Sequence, residues 1–239
     1  WSMRSPYFPN EYAKRMVHAW ALDRDKGFYG AFFPLAMARQ SMTQFKSKDD
    51  HAFGYTPDTA YFTLDGMFRQ GFPKIASELT VNHLENYNYH EEWGVPVAPE
   101  AYRRDLTLFG DQYSNFNAGK ILLFLEGLFG LSYSLPEQTL SLREAMPAPW
   151  NWMELEVPIG EKTGRTKIRI ERQNKQGGLS KRISVENCPL KVKLELWTEE
   201  KEVVSTDSPL SEIKASRPHS IAFESSTATA KAALSVFLK

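Results

Sequence analysis

The chain changes character near residue 140, and that change limits its fold more than any other feature. Before it, apolar residues recur at helical spacing; after it, they alternate with polar ones. The stretches TLSLREAM, WMELEVPIG, TKIRIERQ, KRISVENC, LKVKLELWTEE and AALSVFLK read as strands of period two, and the alternation recurs from His219 to Phe223. Gly160, Gly164 and the Gly177–Gly178 pair mark turns between them. Short strands separated by turns predict a small antiparallel β-sandwich over residues 139–239.

Residues 1–138 predict helices instead. Asn10 can cap a helix running to about Asp23, which Gly27 ends. Pro34 starts a second, PLAMARQSMTQF. Thr56 followed by Pro57 reads as an N-cap with proline at the first helical position, and Asp58 favours the positive helix end. That helix stops at Gly71, and Pro73 opens another that runs to about Glu85. A last helix spans Asn117 to Gly130, whose glycine suits a C-cap. The stretch from Ile121 to Leu131 is close to apolar all round, and such a helix expects neighbours on every side.

Bulk properties exclude several classes. Basic and acidic residues number 29 each, so the net charge is zero and no long block of one sign occurs. Nucleic acid and anionic membrane are therefore poor partners; the charges of Lys162 to Arg172 fit a polar strand pair. The longest apolar run is too short to span a bilayer. Cys188 is the one cysteine, which excludes an internal disulfide framework and a cysteine-rich zinc site. The 42% hydrophobic and 13% aromatic content suffices for a packed core. The chain starts at Trp1, which reads as a processed product or fragment and leans toward an exported or lysosome-like setting.

Between Tyr55 and Gly130, a segment dense in Glu, Tyr, Trp and His (HLENYNYHEEWGVPVAPEAY) lies between two helical stretches. Tyr55, Tyr61, Tyr87, Tyr89 and Trp93 could stack on sugar rings, their flat faces matching the apolar faces of pyranoses; packing is the plainer role for Tyr61. His83 and His90 flank the carboxylates without zinc-ligand spacing, so no metal and no cofactor are expected, and hydrogen bonding to hydroxyls or backbone suits them better. Asp58 reads as a helix-terminus charge. Asp65 could face a helical centre, Asp111 could bind substrate or cap the chain, and Arg103 and Arg104 could hold a carboxylate or phosphate. Nucleophile elbows, phosphate loops and dinucleotide fingerprints are absent.

The order of these features resembles the C-terminal part of glycoside hydrolases and phosphorylases built on an (α/α)6 barrel, among them processing α-glucosidases, trehalases, glucoamylases and the maltose and kojibiose phosphorylases. MPAPWNWMELEVPIG resembles the phrase that links the last barrel helix to a β-sandwich. LENYNYHEEWG resembles the loop that holds the catalytic base, and YSNFNAGKILLFLEGL is similar to the final inner helix. The resemblance implies a partial (α/α)6 toroid followed by the sandwich. It also implies a carbohydrate substrate and inverting hydrolysis, with two carboxyl groups roughly 6.5–9.5 Å apart. Glu85 is the implied general base, with Glu91 and Glu92 in reserve. Tyr55, Tyr87, Tyr89, His90, Trp93 and Asp111 would contact the sugar. Asn117 and Ala118 stand where relatives carry Trp, and nothing matches the loop of the general acid. The resemblance therefore implies an N-terminal partner chain or missing segment, hence a hetero-oligomer. Two alternatives stay open: a non-catalytic carbohydrate-binding or structural protein, and a phosphorylase in which phosphate replaces the water.

Overall fold

The computed structural model describes residues 2–5, 7–30, 34–35, 54–86, 99–103, 106–112, 114–159, 164–175, 178–197, 203–206, 210–214, 220–225 and 231–238. The protein divides into two compact units, Trp1–Gly127 and Leu128–Lys239.

The first unit opens with a 3-10 turn, Ser2–Arg4. Helix α1 (Asn10–Met16) continues as a π-helical turn, Val17–Ala21, and its buried stripe is Ala13, Val17 and Ala21. Helix α2 (Pro57–Arg69) begins at the proline that the sequence marks, because proline fixes φ and lacks only an amide that would be unpaired anyway. Ala60, Leu64, Met67 and Phe68 recur at helical spacing and form its buried face. The hydroxyl of Thr56 lies 2.6 Å from that of Thr59 and makes no cap bond to the helix backbone. Helix α3 (Pro73–Asn86) follows, and helix α4 (Ser114–Leu122) opens into a second π-helical turn, Leu123–Leu128. Gly130 has φ +56°, the left-handed conformation expected of a residue just past a helix end.

Among the described residues the partial (α/α)6 toroid is not there. Among the described residues there are four α-helices of 7 to 14 residues, against twelve strands. Two physical causes account for the difference. Residues 99–112, read as loop, contain an antiparallel hairpin of β1 (Pro99–Tyr102) and β2 (Leu108–Gln112). Tyr55 joins this strand structure through isolated bridges to Leu35 and Tyr102. The apolar stretch from Ile121 is not a helix wrapped on every side either: Ile121 is 59% exposed, and the helix gives way to the π-helical turn after Leu122. The expected helix PLAMARQSMTQF lies, beyond Leu35, outside the described residues.

The second unit is built from strands. In order they are β3 (Ser132–Ser134), β4 (Thr139–Glu144), β5 (Trp152–Pro158), β6 (Arg165–Lys175), β7 (Gly178–Glu186), β8 (Lys191–Trp197), β9 (Val203–Thr206), β10 (Leu210–Ile213), β11 (Ser220–Ser225) and β12 (Lys231–Leu238). They form two five-stranded sheets, β10-β11-β8-β4-β3 and β5-β6-β7-β12-β9. The stretches whose alternation marks them as strands lie on β4 to β8, β11 and β12. The second sheet is antiparallel throughout. The first is mixed, because β4 and β8 run parallel, so the purely antiparallel expectation does not hold.

Alternation sorts the faces. Leu140 and Leu142 on β4, Ile168 and Ile170 on β6, and Ile183 and Val185 on β7 are fully buried. Each such side chain stabilises the unit by about 1.5–3 kcal/mol relative to exposure. The two sheets meet at a buried ion pair: Lys181 of β7 donates to Glu144 of β4 at 2.9 and 3.2 Å. Arg172 of β6 ties down the chain that leaves β4, donating to the carbonyls of Met146, Pro147 and Ala148 at 2.8–3.1 Å.

Candidate functional site

Glu85, the carboxylate that the resemblance implies as general base, stands at the end of α3. That helix buries Ala76, Leu79, Thr80 and His83 on one side, and Glu85 lies on the other, near the helix end, where it is exposed. Glu85 is exposed and makes no ion pair among the described residues. His83, two residues earlier, points the opposite way and is 1% exposed. The helix therefore separates the two groups that are close in sequence: the histidine packs inside and the carboxylate meets water. Glu91, Glu92, Tyr87, Tyr89, His90 and Trp93 lie outside the described residues, as does Arg104.

The other flank of that segment is the β1–β2 hairpin. Its strand β1 ends at Tyr102, whose amide donates to the Tyr55 carbonyl at 2.9 Å while the Tyr55 amide donates back at 2.8 Å. Tyr55 is only 4% exposed, and its ring lies so close to Gly30 that a Cβ there would meet the ring at about 2.5 Å. Tyr102 is equally buried, and burial pushes its phenol pKa up. These two tyrosines join the hairpin to the chain before α2. Asp111 falls on β2.

Asp65 is the functional-looking carboxylate whose setting the sequence does not reveal. On α2, 2% exposed, it accepts from Arg69 Nε at 2.9 and 3.0 Å and from Arg4 Nε. Arg69 reaches on to Glu126 at 3.6 Å. Arg4 lies over the rings of Tyr61 and Phe62, with centroids 5.2 and 5.0 Å away, and approaches the Tyr61 hydroxyl at 3.4 Å. Burial first, then the charges of Glu126 and Asp65, push the Tyr61 phenol up, so it stays protonated at neutral pH. A carboxylate that is 2% exposed and held by two guanidinium groups is ill placed to activate a water. This cluster anchors the 3-10 turn to α2. Asp58, by contrast, does what its position suggests, accepting from the Thr59 amide at the helix start.

Among the described residues no three His, Cys, Asp or Glu side chains gather as a metal cluster. No helix among them is long and apolar enough to cross a membrane.

Neither a family model nor a curated protein sequence matches the chain. Among solved structures, it is similar to an α-L-rhamnosidase of Streptomyces avermitilis crystallised with L-rhamnose, at 11% identity and a TM-score of 0.47. The match covers 74% of this chain and 17% of that enzyme, so the chain spans a small share of its length. A likeness of that degree carries no argument about activity.

Proposed function

We propose that the chain is part of an inverting glycoside hydrolase, in which Glu85 is the general base and the aromatic side chains of residues 87–93 bed the sugar. The observation that supports this reading is the position of Glu85. A general base must reach a water with its lone pairs unclaimed. Glu85 is exposed beside the segment rich in Tyr, Trp and His, whereas Asp65 and Glu144 are committed to cations. Glu91 and Glu92 are the reserve bases, and Asp111 belongs to the same proposal as a sugar contact, whereas the Tyr55 ring is buried against Gly30 and is left out of it. In an inverting displacement the second carboxyl group stays protonated and faces the leaving oxygen, roughly 6.5–9.5 Å from the base. We place that acid on an accompanying chain.

The test is hydrolysis by the native assembly carrying Glu85→Gln, Glu91→Gln or Glu92→Gln, followed on aryl glycosides. One change should lower turnover by about 10²–10⁴-fold, with NMR of the first product showing the inverted anomer. Activity that survives all three changes rejects the base. Turnover that needs inorganic phosphate identifies a phosphorylase. Native mass measurement tests the accompanying chain.

A second reading is non-catalytic carbohydrate binding. It is favoured by the fold itself, which among the described residues lacks the toroid helices that hold acid and base apart in the resembled enzymes.

A further inference from the structure

We propose that the outer face of the sheet β5-β6-β7-β12-β9 is a glycan-binding platform centred on Trp152. The inference rests on the carbohydrate reading above but concerns a different unit and different residues.

Register fixes which side chains share this face. Met153, Ile170, Ile183 and Leu234 are buried and lie in line across four strands, which sets the inner parity. The opposite parity puts Trp152 across from Glu171, Glu154 across from Arg169, and Glu171 across from Arg182. Trp152 is 58% exposed on β5, the edge strand.

A single exposed apolar residue is ordinary and asks for no explanation. Trp152 differs because its position is fixed from one side. The Arg169 guanidinium lies over its ring, 5.2 Å from the centroid. That guanidinium is itself held by two carboxylates, donating to Glu154 Oε2 and to Glu171 Oε1, both at 2.9 Å. Lys167 adds a second contact to Glu154 at 3.1 Å. One ring face is thus occupied, the ring is positioned before any ligand arrives, and more than half of the residue's surface stays exposed. A preorganised ring loses little freedom on binding.

The chemistry around the ring selects the ligand. Glu154 and Glu171 alternate with Lys167, Arg169 and Arg182, so neither sign dominates and a polyanion gains no attraction. A charge-balanced face with donors and acceptors around one aromatic ring fits a neutral, polyhydroxylated ligand. The apolar face of a pyranose would stack on Trp152. Its hydroxyls would donate to the carboxylates and accept from the guanidinium groups. The ligand class is a neutral oligosaccharide.

The test titrates the full chain with maltohexaose, cellohexaose, xylohexaose and mannohexaose, read by calorimetry and tryptophan fluorescence. At least one should bind, Trp152→Ala should raise its Kd about tenfold or more, and Trp152→Phe should restore part of the affinity. Arg169→Gln should weaken binding several-fold with the melting profile retained. Circular dichroism of both Trp152 variants separates lost binding from lost folding. Equal binding by wild type and a folded Trp152→Ala variant overturns the platform and leaves the carbohydrate reading standing. Absence of binding across the whole panel also overturns the platform, while the Glu85 assay judges the other reading separately. If wild type is a dimer that Trp152→Ala dissociates, the face is a self-interface and the platform is again overturned.

Discussion

Lys120 carries an ammonium group into the packed side of α4, where it is 7% exposed. Burial lowers its pKa from 10.5 to about 8. A folded pKa below the unfolded one means that the native state sheds a proton which the unfolded chain keeps. Stability therefore rises with pH between about 8 and 10.5, and below that window the buried charged form carries a desolvation cost. Lys120→Met removes the charge, and we expect it to raise stability at neutral pH by about 1–3 kcal/mol and to flatten the alkaline rise. Urea unfolding at neutral and alkaline pH measures both. A variant that is less stable at neutral pH and keeps the alkaline rise would show that another group causes it. At this scale the sequence was readable only in part. Lys120 directly precedes the apolar run that starts at Ile121, and nothing local says which side of a short helix will be covered. Glu85 and His83 make the same point: they are two residues apart, and only the helix face that packs decides that one meets water.

Helix α2 shows what an element reveals and what it conceals. Thr56, Pro57 and Gly71 mark its ends because backbone chemistry acts locally there. The partner of its buried carboxylate is not local, since Arg4 lies 61 residues before Asp65. The close approach of the 3-10 turn also depends on Gly66, where a Cβ would lie 2.8 Å from the Met3 Cβ. That atom is the root of a side chain and cannot swing aside. Gln70 completes the anchor by donating to the carbonyls of Met3 and Ser5 at 2.9 and 3.1 Å. Gly66→Ala should push the turn off α2 and cost about 1–3 kcal/mol, with faster amide exchange at residues 2–5. Asp65→Asn should produce the same exchange pattern by releasing Arg4. Exchange at residues 2–5 that is unchanged in both variants would refute the anchor. The hairpin of residues 99–112 stayed hidden for another reason: its connection carries no Asn-Gly or Asp-Gly signal, and its strands are short.

On the scale of the whole molecule, the alternation after residue 139 exposed the strands but not their pairing. Parallel pairing of β4 with β8 joins strands far apart in the chain, and period-two alternation is the same for either direction. Alternation also hid the bond between the sheets, because Glu144 and Lys181 sit at inward parity where a charged residue reads as a break in the pattern. Glu144 is fully buried and also accepts from the Met146 amide at 2.7 Å. Removing one partner strands the other, so Glu144→Gln should cost about 3–5 kcal/mol. Replacing both, Glu144→Leu with Lys181→Met, should recover most of that loss, because the desolvation cost of both charges disappears and apolar volume fills the gap. The remaining deficit should be about 1 kcal/mol, from the Met146 amide left without its acceptor. If the pair instead fixes how the sheets register, the double variant will be stable yet give broadened side-chain NMR signals in the unit Leu128–Lys239. Denaturant unfolding of the two single variants and the double variant decides between these outcomes. A double variant as unstable as the sum of its singles would mean that Glu144 and Lys181 act independently and that the sheets are joined by their apolar faces alone.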